Sequence, residues 1–87
     1  MIINIKNKKD LITLDFRLKE IRYLSNYEDK TRVIFDSIKL SNNDIEGFDY
    51  LFKNDKNLFF KTLKETLLNL SGIKIKIKDL EVLKWEN

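Results

Sequence analysis

The clearest helix signal in this sequence runs from Asp55 to Gly72, and it limits what the rest of the chain can form. At ~100° per residue, its main apolar side chains fall within one ~100° arc of the helix surface. They are Phe59, Phe60, Leu63, Leu67 and Leu70. Gly72 follows the last of them, where glycine readily adopts the left-handed conformation that ends many helices. The flanking segments have the patterns of β-strands, so we predict that this helix covers a sheet.

The residues before this helix predict strands. Met1–Lys6 is short and rich in Ile, and the polar residues 7–10 after it predict a hairpin turn. Leu11–Leu18 alternates apolar and polar residues, as a half-buried antiparallel strand does. The alternation changes phase near Lys19. Because no Gly, Asn or Pro marks a turn there, we predict one long bent strand to about Leu24; two separate strands are the alternative.

The next segments predict a further strand and a first helix. Ser25–Lys30 has the composition of a loop. Thr31–Leu40 is rich in β-branched residues and has apolar side chains on both faces, which indicates a central strand or a bulge near residues 36–37. Ser41, with an acidic residue three positions later, resembles a capping box and predicts the start of a helix.

The end of the chain contains two more predicted boundaries. Asn54 and Asp55 are predicted to cap the second helix, and a single bent helix over residues 42–70 is the alternative. Ile73–Lys78 alternates Ile and Lys, so we predict a strand with Ile facing the core and Lys facing outward. The pattern changes phase after Asp79, which indicates a bulged continuation or a short final strand.

Together these elements predict a single α+β domain that spans residues 1–87. A four- to five-stranded, mainly antiparallel sheet carries two helices packed on one face, in the order β-β-β-α-α-β-β. The opposite face of the sheet is expected to be exposed and charged. The predicted core consists of Phe48, Phe52, Phe59, Phe60, Leu63, Leu67, Ile12, Leu14, Phe16, Ile34, Ile73, Ile75 and Ile77.

The composition excludes most reaction classes. The chain has no His and no Cys, and therefore no imidazole base, no thiolate nucleophile and no zinc site built from nitrogen or sulfur ligands. Its two glycines lie far apart, so there is no glycine-rich phosphate loop. We therefore expect a protein that is not an enzyme and uses neither a cofactor nor a metal.

The composition also indicates a location. The absence of Cys favours the cytoplasm, no signal peptide is visible, and the apolar runs are too short to enter a membrane. Ala, Gln, His, Pro and Cys are missing while Ile, Lys and Asn are abundant, a bias typical of AT-rich genomes. We expect a protein of a low-GC bacterium or its phage, acting in the cytoplasm of the bacterial host cell.

An acidic cluster on the predicted first helix is one candidate for binding a protein partner. Asp44, Glu46 and Asp49 follow one another closely there. Carboxylates near a helix N-terminus compensate the helix dipole, and Asp49 is spaced to pair with Lys53 on the helix surface. The functional alternative is an acidic face that recognises a basic partner.

Four apolar or aromatic residues are further candidates for contact with a protein. Tyr27 lies in a predicted loop and Trp85 lies after the last predicted helix, and exposed Tyr and Trp are enriched at interfaces. Leu58 and Leu68 fall outside the apolar arc of the second helix. They pack between helices, or they form an interface such as a homodimer face.

A lysine stripe is the candidate for nucleic-acid binding. Side chains two residues apart on a strand are ~6.5–7 Å apart, close to the spacing of successive phosphates. The stripe consists of Lys74, Lys76 and Lys78, and Lys6, Lys8 and Lys9 could extend it. Exposed lysines on a strand also prevent sheets from associating edge to edge. The net charge of +3 and the scarcity of Arg count against a dedicated nucleic-acid binder.

These observations favour a small interaction protein that binds and blocks another macromolecule. We expect a protein partner, including a nucleoprotein complex, and no membrane. Short chains of this composition are typical of phages and mobile elements, whose products include anti-CRISPR proteins, the sharpest version of this hypothesis. It is an analogy of type and rests on no family motif. The alternatives are a small nucleic-acid-binding domain that uses the lysine stripe, and an accessory subunit of a homo- or hetero-oligomer.

Overall fold

A computed structural model describes residues 1–27 and 34–86. The strands are antiparallel and lie in the order β4-β3-β2-β1-β5 in one sheet. The elements are β1 (Ile2–Asn7), β2 (Asp10–Asp15), β3 (Glu20–Ser25), β4 (Ile34–Lys39), α1 (Asn42–Asn54), α2 (Lys56–Ser71), a 3-10 turn (Ile77–Asp79) and β5 (Leu80–Glu86). Both helices pack on one face, which confirms the predicted α+β class with five strands. The chain order is β-β-β-β-α-α-β, so four strands, and not three, precede the helices.

The first hairpin forms where the polar residues predict it. Asn7 pairs with Asp10, and the two residues between them make the turn. Lys8 adopts the left-handed conformation there, with φ of 54°, as a tight hairpin turn requires. The strand itself begins and ends one residue later than the predicted Met1–Lys6.

The predicted long strand from residue 11 to residue 24 is wrong, because a tight turn divides it into β2 and β3. The Asp15 carboxylate accepts the backbone N–H groups of Arg17 at 3.1 Å and Leu18 at 3.0 Å. Lys19 completes the turn in the left-handed conformation, with φ of 55°. Asp is a turn-forming residue for this reason, so Asp15 was the missed signal. This turn explains the change of phase near Lys19, and Leu18 is exposed within it.

β4 lies at the edge of the sheet, so the predicted central position is wrong. Its register with β3 runs without a shift, which also excludes the bulge at residues 36–37. The two apolar faces have separate causes: Ile38 packs against the core, whereas Phe35 lies on the opposite face and is 55% exposed. Residues 28–33 of the predicted loop and strand lie outside the described residues.

The predicted helix boundaries are confirmed. The Ser41 hydroxyl accepts the N–H of Asp44 at 3.1 Å and caps α1. The Asp55 carboxylate caps α2 in the same way, through the N–H of Leu58 at 3.1 Å, so residues 42–70 form two helices and not one bent helix. Gly72 ends α2 with φ of 69°. Within the described residues, neither helix combines the length and the apolar character needed to cross a bilayer.

The Ile–Lys segment is not a strand, which corrects the prediction for Ile73–Lys78. It leaves the end of α2 as extended chain and closes in the 3-10 turn. The strand that pairs with the outer edge of β1 is β5. Alternation within a segment cannot supply a pairing partner, so the pattern alone was insufficient. Ile75 is buried, but Ile77 is 40% exposed. The phase change after Asp79 is explained by a bulge in β5, where its register with β1 shifts.

The core lies between the sheet and the two helices. Phe59 meets Phe48 and Phe52 edge to face, with ring centroids 5.7 and 5.2 Å apart. Most predicted core residues are buried, whereas the side chain of Ile34 lies outside the described residues. Leu70, the last residue of the predicted apolar arc, is 58% exposed because it lies one turn beyond Leu67, the last buried side chain of α2. Phe16, Phe60 and Ile73 are only partly buried. The sheet adds core residues that were not predicted, namely Ile3, Ile5, Ile21 and Tyr23, and Leu40 adds another just after β4.

Candidate protein-interaction surfaces

Among the described residues, no helix lies over one face of the sheet, and the strand register arranges its side chains in three rows. The first row is apolar on the β4 side and consists of Phe35, Leu24 and Leu11, followed by Lys6 and Glu81. The middle row is polar and consists of Ser37, Arg22, Thr13, Asn4 and Lys84. The third row contains Lys39, Glu20, Asp15 and Ile2. We call this surface the open face.

The apolar row gives the open face an exposed hydrophobic patch at the β4 side. Phe35 is 55% exposed, and Leu24 and Leu11 beside it are half-buried. These three side chains line a cavity of about 330 Å³ together with Ile2, Asn4, Thr13 and Arg22. The open face was expected to be charged throughout, and this row corrects that expectation. It joins residues from three strands, so it becomes visible only when the register is known.

The charged side chains of the open face hold one another in place. Arg22 lies 3.4 Å from the Asp15 carboxylate and 3.7 Å from that of Glu20. The Nε atom of Arg22 is buried and has no hydrogen-bond partner among the described residues, so this guanidinium depends on its two carboxylates. Lys39 donates to Glu20 at 3.1 Å, and this hydrogen bond holds the pKa of the Glu20 carboxyl below its ordinary value. The polar half of the open face is therefore ordered before any partner arrives.

Trp85 forms a second surface on the helix side of the sheet. Its indole meets the ring of Phe52 edge to face, with centroids 6.0 Å apart, and 54% of the residue stays exposed. A cavity of about 360 Å³ opens beside it, lined by Met1, Phe52, Lys53, Lys56 and Trp85. We call this cavity the Trp85 pocket. It places Trp85, a sequence-predicted partner-binding residue, beside the exposed cations Lys53 and Lys56.

The structure divides the predicted lysine stripe. Lys8, Lys74 and Lys76 line a cavity of about 220 Å³ near the β1–β2 turn, but two aspartates line it too, and Lys8 lies 3.7 Å from one of them, Asp79. Lys78 is exposed in the 3-10 turn, Lys9 is exposed in the hairpin turn, and Lys6 faces the opposite side of the sheet. The match to the spacing of phosphates assumed that Lys74, Lys76 and Lys78 lie on one strand, and the 3-10 turn at Lys78 removes that regular spacing.

A buried polar network lies at the base of the same cavity. Tyr23 donates to the Asp10 carboxylate at 2.5 Å and accepts from Asn7 at 3.1 Å. Burial, and then the Asp10 carboxylate, raise the pKa of Tyr23 to about 12. Asp10 also accepts the N–H of Asn26, which has a positive φ of 52°. These groups satisfy one another, so the network stabilises the fold and is not a free binding site.

The predicted acidic cluster lies on the surface of α1. Asp44 belongs to the first turn, where its N–H meets the Ser41 cap, and Glu46 is exposed. Asp49 lies 3.1 Å from Lys53, the pair that the spacing predicts. The position of Asp44 in the first turn and the pairing of Asp49 with Lys53 account for two of the three carboxylates as helix-stabilising groups.

The other predicted interface residues are scattered. Tyr27 is half-buried, and its N–H donates to the carbonyl oxygen of Lys9 at 3.1 Å. Leu58 and Leu68 are 44% and 43% exposed, as the helical spacing predicts. On an α-helix they are ~15 Å apart along the axis and ~80° apart around it, so they do not form one patch.

Comparison of the chain with protein-family models, with curated proteins and with solved structures finds no match in any of the three. The function therefore has to be argued from the open face and the Trp85 pocket themselves.

Proposed function

We propose that this protein is a non-enzymatic interaction protein that binds another protein through the open face of its sheet and thereby blocks that partner. One observation carries the proposal: the open face combines exposed Phe35 and half-buried Leu24 and Leu11 with ion-paired side chains that begin one row away, at Arg22. Aromatic and Arg side chains next to one another, with polar groups around them, are the composition of the central part of protein interfaces.

The energetics of this surface favour a protein as the partner. Burying a Phe side chain contributes roughly 1.5–3 kcal/mol, and Phe35 is exposed on an edge strand where a partner can reach it. The ion pairs of Arg22, Asp15 and Glu20 already fix the neighbouring side chains, so binding loses less side-chain freedom than it would on a loose surface. The mixed signs of these charges suit a protein surface better than a polyanion.

The sharpest form of the proposal is an inhibitor of a bacterial defence system, of the anti-CRISPR type, encoded by a phage or a mobile element. Such a protein acts in the cytoplasm of the host cell, and its partner is a protein or a nucleoprotein complex. The support for this form is the AT-rich composition of a small chain that contains no His and no Cys. It rests on analogy of type.

Capture from a lysate tests the proposal. The immobilised protein is incubated with nuclease-treated lysates of low-GC bacteria, and bound proteins are identified by mass spectrometry. The proposal expects a stoichiometric partner that is retained by wild type and lost with Phe35→Ser. Tyr50→Ser is the matched control, because Tyr50 is an aromatic residue that is 65% exposed on α1. No stoichiometric partner, or retention that ignores Phe35→Ser, would overturn the proposal.

A further inference from the structure

The Trp85 pocket lies apart from the open face. Trp85 pairs with Ile3, whose side chain is buried under the helices, so both residues face the helix side of the sheet. The apolar row of the open face begins at β4, at the other edge of the sheet. A ligand in the Trp85 pocket therefore uses a second surface, independent of the proposed docking through the open face.

We propose that the Trp85 pocket binds an acidic, apolar peptide segment of a protein. In this arrangement an apolar side chain of the peptide lies against the exposed indole of Trp85, and a neighbouring Asp or Glu carboxylate lies between the ammonium groups of Lys53 and Lys56. The cavity volume of about 360 Å³ falls in the range of small-ligand pockets, and it has room for two side chains.

The indole supplies the apolar half of the site. One edge of Trp85 rests on the buried ring of Phe52, which fixes the indole, while 54% of the residue remains in water. A large, rigid side chain that is already positioned offers contact area at low entropic cost. The half-buried, flexible side chain of Met1 extends the apolar lining.

The two lysines supply the charge. The Lys56 ammonium is held 4.2 Å from the Phe52 ring centroid and donates to the Phe52 carbonyl oxygen at 3.0 Å. Lys53 lies 3.1 Å from Asp49 in an exposed pair within one helix. Such exposed pairs stabilise a helix only weakly, so Lys53 can turn to a ligand carboxylate at little cost.

The surrounding charges favour a single carboxylate over a polyanion. The lining of the Trp85 pocket is apolar and cationic. Asp49 and Asp55 lie just outside it, one turn or less along the chain from Lys53 and Lys56. A nucleic acid would bring further phosphates against these aspartates, whereas a peptide with one local negative charge would not.

The fluorescence of Trp85 reports directly on the pocket, because the chain contains one Trp. The probes are the peptides acetyl-Leu-Glu-Leu-amide and acetyl-Leu-Gln-Leu-amide, which differ in charge and hardly in shape, and a short thymidylate oligonucleotide. We expect a saturable blue shift with the Glu peptide and roughly fivefold weaker binding of the Gln peptide, the sum of two exposed ion pairs.

A pair of double variants locates the charge. K53Q together with K56Q is expected to weaken the Glu peptide roughly fivefold and to leave the Gln peptide unchanged. K61Q together with K64Q is the matched control, since both lysines are exposed on α2 outside the pocket, and it is expected to bind like wild type. No saturable shift, equal binding of both peptides, equal effects of both double variants, or tighter binding of the oligonucleotide would overturn the inference. None of these results would affect the lysate capture that depends on Phe35, which tests the open face separately.

Discussion

At the scale of single residues, two carboxylates hold the ends of β2. Asp10 accepts the hydroxyl of Tyr23 at 2.5 Å and the N–H of Asn26 at 3.0 Å. Asp15 at the other end accepts two N–H groups of the following turn and pairs with Arg22. Neither residue belongs to an apolar or helical pattern in the sequence that would predict this role. A turn that contains neither Gly nor Asn was therefore missed in the sequence.

Removing the Asp15 carboxylate tests its place in the turn. Asp15→Ala leaves two N–H groups and the partly buried Arg22 without this acceptor, so we expect a loss of about 2–3 kcal/mol in the free energy of unfolding. Asp15→Asn keeps an acceptor for the N–H groups but loses the charge, and about half of that loss is expected. Denaturant unfolding provides the measurement. Asp49→Ala, which removes a surface carboxylate, should stay within roughly 0.5 kcal/mol of wild type; an equally small effect of Asp15→Ala would contradict this account.

Tyr23 gives a second test, through its titration. The folded-state pKa of about 12 lies above the ordinary value of 10.0, so the folded protein holds a proton that the unfolded chain releases. The stability that this group contributes is therefore complete below pH 10 and is lost as the pH rises toward 12. In an absorbance titration of tyrosinate, we expect a step near pH 12 that Tyr23→Phe removes. If a step near pH 12 is still present in Tyr23→Phe, the step belongs to another group and the assignment to Tyr23 is wrong.

At the scale of elements, the helices could be predicted from the sequence. The division between β2 and β3 and the structure of the Ile–Lys segment could not. Ser41, Asp55 and Gly72 are local signals, because a cap acts on groups within a few residues of itself. Whether a segment joins a sheet depends on what lies beside it. The Ile–Lys segment alternates regularly and is still not a strand, because β5 pairs with β1 instead. The apolar row of the open face was missed for the same reason, since it needs the register of three strands.

Two leucines of α2 test the assignment of its buried side. Leu63 is fully buried, so Leu63→Asp places an unpaired charge in the core and loses several kcal/mol, enough to unfold a domain of this size. Leu68 is 43% exposed, and Leu68→Asp should keep the wild-type circular dichroism and unfolding midpoint within roughly 0.5 kcal/mol. Light scattering on Leu68→Asp also tests the homodimer alternative, which a change from dimer to monomer would support. A folded Leu63→Asp protein would refute the packing described here.

At the scale of the whole molecule, the two-layer architecture leaves one face of the sheet without a helix in the described part of the chain. Five strands of about six residues, at ~4.8 Å between strands and ~3.4 Å per residue, present roughly 500 Å². A stable protein interface buries roughly 800 Å² on each partner. A partner on the open face therefore has to extend over an edge of the sheet. The apolar row starts at β4, so we expect the contact to continue past that edge.

The affinity of a captured partner for two matched variants is the most direct measurement of the central claim, that the open face is the docking surface. Phe35→Ser and Tyr50→Ser each remove one exposed aromatic side chain, from the open face and from α1. We expect Phe35→Ser to raise the Kd at least about thirtyfold, the effect of a hot-spot residue worth roughly 2 kcal/mol. Tyr50→Ser is expected to change the Kd less than about twofold. A Kd for Phe35→Ser within twofold of wild type, or a larger loss with Tyr50→Ser, would contradict the claim.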